Sequence, residues 1–208
     1  MNEILPGILE QKWSEIEKKL ELVSQFSNSV HIDLLDGKFT GNTTFVDPAP
    51  FARWAQKLQI ELHMMVEEPV QYVDIWGKSG IKRFLGHVEK MSDQYAFLQK
   101  AKEYGEAGLA LDGKTDVNQI KVAYTDLDAL LIMTIDAGFS GQVYVPEYAD
   151  KCKVVREKAP DLIIEVDGGI NKETLVIAKA QSANRFVCTS ALFTSPDPRS
   201  MYVTLTDL

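Results

Sequence analysis

Val30-His31-Ile32-Asp33 is a short β-prone run that ends on a histidine and an aspartate. Residues two apart in a strand point to the same face, so His31 and Asp33 project together. The same construction recurs in Glu61-Leu62-His63 and in Glu165-Val166-Asp167-Gly168-Gly169, each at the end of an apolar stretch. If these three strands are neighbours in a closed barrel, two imidazoles and two carboxylates meet at one mouth. Mixed nitrogen and oxygen donors suit zinc or another first-row divalent ion. The chain has only 3 histidines, and two of them stand at such positions.

Outward from these stretches, strand-like and helix-like runs alternate along the whole chain. The strand-like runs are Ile4–Leu9, Val30–Asp33, Ile60–Val66, Lys82–Val88, Ala107–Leu111, Ala129–Ile135, Leu162–Val166 and Asn184–Cys188. Between them lie segments with helical spacing: Trp13, Ile16, Leu20 and Val23 share one face, as do Tyr95, Leu98 and Ala101. Asp47-Pro48 and Asn171-Lys172-Glu173-Thr174 are helix-entry signals. Eight such units of about 25 residues each predict a single (β/α)8 barrel over residues 1–208. An open doubly wound sheet is the alternative, but no glycine-rich loop follows the first strand to support it. Barrel chemistry sits at the carboxyl ends of the strands, where His31, Asp33, His63 and Asp167 all fall.

The composition is globular, with 45% hydrophobic and 25% charged residues. A net charge of −8 argues against nucleic acid or an anionic membrane as the main partner, since both reward basic stripes. No apolar run reaches the length of a membrane span, and Met1-Asn2-Glu3-Ile4 lacks the pattern of a signal peptide. Cys152 and Cys188 are too few for a disulfide framework and read as small apolar filler. A cytoplasmic location is expected.

A second constellation comes from the last three units. Gly138-Phe139-Ser140-Gly141-Gln142 follows the sixth strand, Gly168-Gly169 the seventh, and Thr189-Ser190 the eighth. Glycines let the backbone approach an oxyanion and offer its N–H groups. Loops at this end of a barrel often form a phosphate site, so an acidic chain can still hold a phosphate through local amides.

Several stretches carry a family resemblance. They are His31-Ile32-Asp33-Leu34-Leu35-Asp36-Gly37 with Phe39 and Asn42, Leu62-His63-Met64-Met65-Val66, and His87-Val88-Glu89. Further on come Met133 to Gln142, Ile164 to Asn171 and Thr189-Ser190-Ala191-Leu192-Phe193. In order and spacing the chain resembles the ribulose-phosphate 3-epimerase family of metal-dependent barrels. The resemblance implies that His31, Asp33, His63 and Asp167 bind one divalent ion (zinc, iron, manganese or cobalt). Asp33 and Asp167 would double as the acid/base pair. Gly138, Phe139, Ser140, Gly141, Gly168, Gly169, Thr189 and Ser190 would hold the phosphate of a ketose substrate. Gly7, Leu35, Met65 and Met133 would line the pocket. Inverting a carbon next to a ketone needs one carboxylate on each face of a planar enediolate, and Asp33 and Asp167 come from separated parts of the ring. A homo-oligomer is expected.

The chain also departs from the family pattern. Gly7 stands where a first-strand serine usually contacts substrate, Leu35 replaces a methionine, and Asp136-Ala137 lacks a proline. Ser140 and Thr189 replace glycines, and Asp112-Gly113 replaces an Asn-Pro pair. None removes a metal ligand or a proton-transfer carboxylate, so they bear on substrate choice rather than reaction type. Thr189-Ser190 also resembles the allulose-6-phosphate branch, which leaves a hexulose phosphate open as substrate. A phosphosugar-binding barrel without catalysis is the third reading.

Other features carry less. Asp112-Gly113-Lys114 is a near miss to a decarboxylase signature whose last aspartate is replaced by Val117. Lys38 and Lys114 do not stand at buried strand positions, as Schiff-base lysines would. His87 is expected to be a strand-end residue hydrogen-bonded to Glu89. Asp36-Gly37 shapes a turn. Glu67-Glu68-Pro69 opens a helix, and the charges of Glu15–Glu21 form a solvated helix face.

Overall fold

Eight parallel strands close on themselves in chain order in a computed structural model that describes residues 2–208. They are β1 (Glu3–Ile8), β2 (Ser29–Leu35), β3 (Gln59–Met65), β4 (Arg83–His87), β5 (Glu106–Leu111), β6 (Ala129–Met133), β7 (Ile163–Asp167) and β8 (Arg185–Cys188). The connecting helices are α1 (Trp13–Val23), α2 (Val70–Lys78), α3 (Gln94–Lys102), α4 (Pro146–Ala149), α5 (Lys151–Lys158), α6 (Lys172–Ala180), α7 (Ser190–Phe193) and α8 (Pro198–Asp207). The molecule is a single (β/α)8 barrel.

Two crossovers lack an α-helix. The β2–β3 connection has only the 3-10 turn Ala49–Arg53, and β5–β6 only Val117–Gln119 and Tyr124–Asp126. Asp47-Pro48 thus opens a 3-10 turn rather than the expected helix. Pro50 comes directly after Ala49, lacks an N–H and restricts that residue, which shortens the element. On α1, Ile16, Leu20 and Val23 are buried as the spacing required. On α3 the expected face is corrected: Tyr95 is 59% exposed, while Phe97, Leu98 and Ala101 are buried. Asp93 accepts from the Ala96 amide and starts the helix at Gln94, which turns the 94-97-98-101 face inward.

Paired residues of parallel neighbours share a face, so the register sorts side chains into two layers. Ile32, Leu62, Phe84, Leu109, Ile132, Val166 and Phe186 face outward and join the helices in the main core. The inward set divides across the barrel. Leu85, Ala110, Ala129, Leu131, Met133 and Ile135 fill one side. The other holds His31, Glu61, His63, Glu165, Asp167 and Arg185, all buried. At the amino end of the strands an ion-pair network closes the barrel: Arg83 meets Glu3 (3.0 Å) and Glu106 (2.9 Å), and Arg185 meets Glu3 (2.8 Å) and Glu61 (3.1 Å). Both cysteines are buried and free, and burial pushes each thiol up to about 12. Among the described residues, no helix is long and apolar enough to cross a membrane.

Candidate active site

The β2–β3 register sets Asp33 opposite His63 and His31 opposite Glu61. One residue pair lies above the other, both pointing inward. Across the ring, β6–β7 pairing sets Met133 opposite Asp167. The result is a buried group in which one ligand atom each from His31, Asp33, His63 and Asp167 lies within 4.8 Å of the others. The facing atoms are identified by the distances. His31 Nε2 lies 3.4 Å from Asp33 Oδ1 and 3.9 Å from Asp167 Oδ2. His63 Nδ1 lies 2.8 Å from Asp33 Oδ1 and 3.6 Å from Asp167 Oδ2.

These donors fit a divalent ion on two counts. His31 Nε2 is a buried nitrogen without a hydrogen-bond partner, which is costly unless a further group takes its lone pair. Its other nitrogen is anchored, because Nδ1 donates to Glu61 Oε1 at 2.8 Å. That is the carboxylate–histidine arrangement that orients a metal-ligating imidazole.

The two aspartates have opposite protonation tendencies. Burial alone would raise Asp33, but hydrogen bonds from His31 and His63 outweigh it and hold the carboxyl well below the usual range. Burial raises Asp167, and the neighbouring Asp33 charge adds to it, pushing the group up to about 7. One carboxylate is therefore ionised where the other keeps its proton, without a metal present. Backbone anchors fix both. The Thr44 hydroxyl donates to the Asp33 carbonyl (2.9 Å), and the Thr134 hydroxyl is shared between the carbonyls of Asp167 (2.9 Å) and Gly168 (2.6 Å).

Above this group opens a cleft of about 420 Å3. Asp33, Asp167, Met65 and Met133 line it together with Gly138, Phe139, Ser140, Gly141, Gly168, Gly169, Thr189 and Ser190. All eight residues expected around a phosphate are thus brought to one wall. Gly168 and Gly169 have φ of +117° and +69°, and a Cβ at Gly169 would meet the Tyr144 backbone nitrogen at 2.6 Å. Glycine is required there by conformation and by space. Among the described residues no lysine or arginine lines the cleft, so an oxyanion would be met by amides and hydroxyls. Asn42 donates to the Gly138 carbonyl at 2.7 Å and braces the 138–141 loop from across the mouth.

Gly7 and Leu35 lie outside the lining, unlike Met65 and Met133. The space above Gly7 is filled by the Thr189 side chain, and Leu35 is fully buried at the end of β2. Lys38 and Lys114 are exposed and paired with Glu67 (3.0 Å) and Asp136 (2.9 Å). His87 does bond Glu89 (2.8 Å), but it also reaches His63, Nε2 to Nε2, at 2.9 Å. Sequence reasoning gave no role to Glu61, Glu165 and Arg185. The signal was present: Glu61 and Glu165 stand two residues before His63 and Asp167, on the same inward face of apolar strands.

Residues 3–193 match the family model described as the ribulose-phosphate 3 epimerase family. A ribulose-phosphate 3-epimerase from Bacillus subtilis is 33% identical over 206 residues, covering 95% of this chain and 94% of that protein. The cytoplasmic isoform from Oryza sativa subsp. japonica is 31% identical, covering 94% and 89%. Among solved structures, 3-keto-L-gulonate-6-phosphate decarboxylase from Vibrio cholerae superposes with a TM-score of 0.76 at 11% identity, covering 100% of this chain and 97% of that one. That likeness speaks to the barrel alone. The inward His/Asp cluster, the glycine-walled cleft and the family match over nearly all of the chain agree: this protein belongs to the ribulose-phosphate 3-epimerase family, whose members are epimerases of the isomerase class.

Proposed function

We propose that this chain is a divalent-metal-dependent epimerase that inverts carbon 3 of D-ribulose 5-phosphate to give D-xylulose 5-phosphate. The observation that carries the reading is the pair Asp33 and Asp167, on β2 and β7, with opposite protonation beside two histidine nitrogens. The relatives' shared name supports the pentulose as substrate.

The substrate's phosphate lies against the amides of the 138–141 and 168–169 loops and the hydroxyls of Ser140, Thr189 and Ser190. This places its ketone end over the His/Asp cluster. His31, Asp33, His63 and Asp167 hold the ion, which polarises the ketone and stabilises charge developing on its oxygen. The ionised carboxylate takes the proton from carbon 3, and the C–H electron pair becomes the carbon 2–carbon 3 double bond of an enediolate. The protonated carboxyl then returns a proton to carbon 3 from the opposite face. Met65 and Met133 wall the reacting carbons and keep water away from the enediolate. In the reverse direction the two aspartates exchange roles.

Asp33→Asn and Asp167→Asn should each lower kcat by at least ~10²-fold, the usual worth of a positioned acid or base. In deuterium oxide, a variant that retains one carboxylate should wash label into one face of the substrate while net inversion stops. Wild-type rates in both variants would overturn the two-base reading. Turnover compared on D-ribulose 5-phosphate and D-allulose 6-phosphate decides between pentulose and hexulose.

A further inference from the structure

His87 belongs to no ligand group, yet it is fully buried and bonded at both ring nitrogens. Its Nδ1 lies 2.8 Å from Glu89 Oε2, and its Nε2 lies 2.9 Å from His63 Nε2. Glu89 is held in turn by the Asp112 amide, which donates to Oε1 at 2.7 Å. A continuous chain therefore runs Glu89–His87–His63 and ends at the His63 Nδ1 that faces Asp33 and Asp167.

We infer that Glu89 and His87 are positioning residues, a relay that fixes the tautomer in which His63 turns an unprotonated Nδ1 toward the metal site. This rests on the metal reading proposed above. A neutral imidazole has one donor and one acceptor nitrogen, and an ionised carboxylate only accepts. His87 must therefore donate from Nδ1 to Glu89, which makes its Nε2 an acceptor. His63 must then donate from Nε2, which leaves the lone pair on Nδ1. Each proton is forced by the one before it, and the only free choice is made at Glu89.

The far end of the chain agrees. With its lone pair on Nδ1, His63 faces Asp33 Oδ1 at 2.8 Å. Two acceptors at that distance repel unless a cation takes both lone pairs. The relay thus builds a contact that a metal ion completes.

The geometry also accounts for the use of a second imidazole instead of a carboxylate. His31 is anchored directly by Glu61, whose charge is met by Arg185 at 3.1 Å. Among the described residues, no cation pairs with a side chain at the His87 position. A carboxylate there would stand uncompensated beside the Asp33 and Asp167 pair, at a cost of several kcal/mol by the general penalty for buried charge. A neutral ring carries the hydrogen bond outward and leaves the charge on Glu89, whose side chain is 22% exposed.

Packing is the rival explanation, since the His87 ring also sits 4.6 Å from Phe39 and 5.0 Å from His63 between centroids. Long-range proton–nitrogen correlation spectra of the zinc-loaded protein separate the two, and with 3 histidines in the chain every ring can be assigned. The relay requires the ring proton on Nδ1 of His31, Nε2 of His63 and Nδ1 of His87. Zinc affinity, measured by competition with a chelator, should fall ~10–100-fold in His87→Phe, the usual cost of losing an outer-shell partner. His87→Gln, whose amide oxygen can accept from His63, should recover most of that loss, and Glu89→Leu should share it. Zinc bound with the His63 proton on Nδ1 overturns the relay alone, as does a Phe variant that binds zinc like the wild type or like the Gln variant. A wild-type protein that takes up no zinc overturns the metal reading and the relay with it. The wild-type spectrum decides even where a variant fails to fold.

Discussion

A Cβ at Gly7 would lie 2.3 Å from Thr189 Oγ1 and 2.7 Å from Val187 Cγ1. Thr189 occupies the N-cap position of α7 but makes no side-chain cap there. A threonine at an N-cap usually bonds a free amide of the first turn, so its hydroxyl has been turned elsewhere, into the space above Gly7. The two residues are thus one feature. Glycine on β1 vacates the volume that threonine after β8 fills, and the hydroxyl at this corner of the cleft comes from β8. Gly7→Ser alone should overpack the corner and cost ~1–3 kcal/mol in denaturant unfolding. Adding Thr189→Gly should return most of that loss, with a coupling of ~0.5–3 kcal/mol expected for residues in contact. Additive effects would show the positions to be independent. Residues far apart in sequence cannot announce such a swap, because each is an ordinary choice at its own position. By contrast His31, Asp33, His63 and Asp167 were legible singly, since polar residues at the ends of apolar strands conflict with packing unless they serve a site. Glu61 and Glu165 break the same rule, but their meaning depends on Arg185 and the His31 ring, which only the closed barrel brings to them.

Among the elements, α6 shows how local sequence holds the site. Asn171 accepts from the amides of Glu173 (2.9 Å) and Thr174 (3.0 Å), and Thr174 Oγ1 accepts from the Asn171 amide (2.9 Å). The Thr174 hydroxyl also donates to the Gly169 carbonyl at 2.8 Å. The capping box therefore satisfies the helix start and pins the loop whose amides face the cleft. Asn171→Ala should cost ~1 kcal/mol and lower Tm by about 2–4 °C, as for lost caps in chains of this size. Because the loop loses an anchor, KM for a phosphorylated ketose should rise more than kcat falls. A stability loss with unchanged KM would separate the cap from the site. Asn171–Thr174 is legible as a helix entry because capping is local chemistry. At Asp47-Pro48 the entry signal is equally local, and Asp47 does accept from the Ala49 amide at 3.0 Å, but Pro50 restricts the element to a 3-10 turn. Tyr95 misleads for another reason: its spacing suits a helical face, and only the start at Gln94 decides which face turns inward. Strand positions are the most legible, since eight β-prone runs in alternation with helices leave few ways to close a sheet.

For the molecule as a whole, the decisive feature is a barrel interior split into an apolar half and an ionisable half. Such an interior ties stability to pH. Burial and the Asp33 charge raise Asp167 to about 7, and burial and the Glu61 charge raise Glu165 to about 8. Between their ordinary values near 4 and these raised ones, the folded chain binds protons that the unfolded chain has lost. Stability then falls as pH rises. His31 acts in the same sense above its ordinary 6.5: burial opposes its charge, but the carboxylates of Asp33, Glu165 and Glu61 outweigh burial and raise it. A raised histidine stabilises below 6.5 and loses that contribution as pH climbs to its folded value. His63 opposes the trend only lower down, since burial lowers it from 6.5 to about 4 and its contribution is complete by 6.5. The metal-free protein should therefore lose stability most steeply between about pH 6.5 and about pH 8. A divalent ion takes the place of protons at the same atoms, so its binding should release protons and strengthen with pH. Thermal unfolding with and without zinc at pH 6, 7 and 8 checks this directly. The Tm difference should widen at each step, mainly because the metal-free protein softens. A difference that stays constant would mean that Asp167, Glu165 and His31 do not hold their protons in the folded chain.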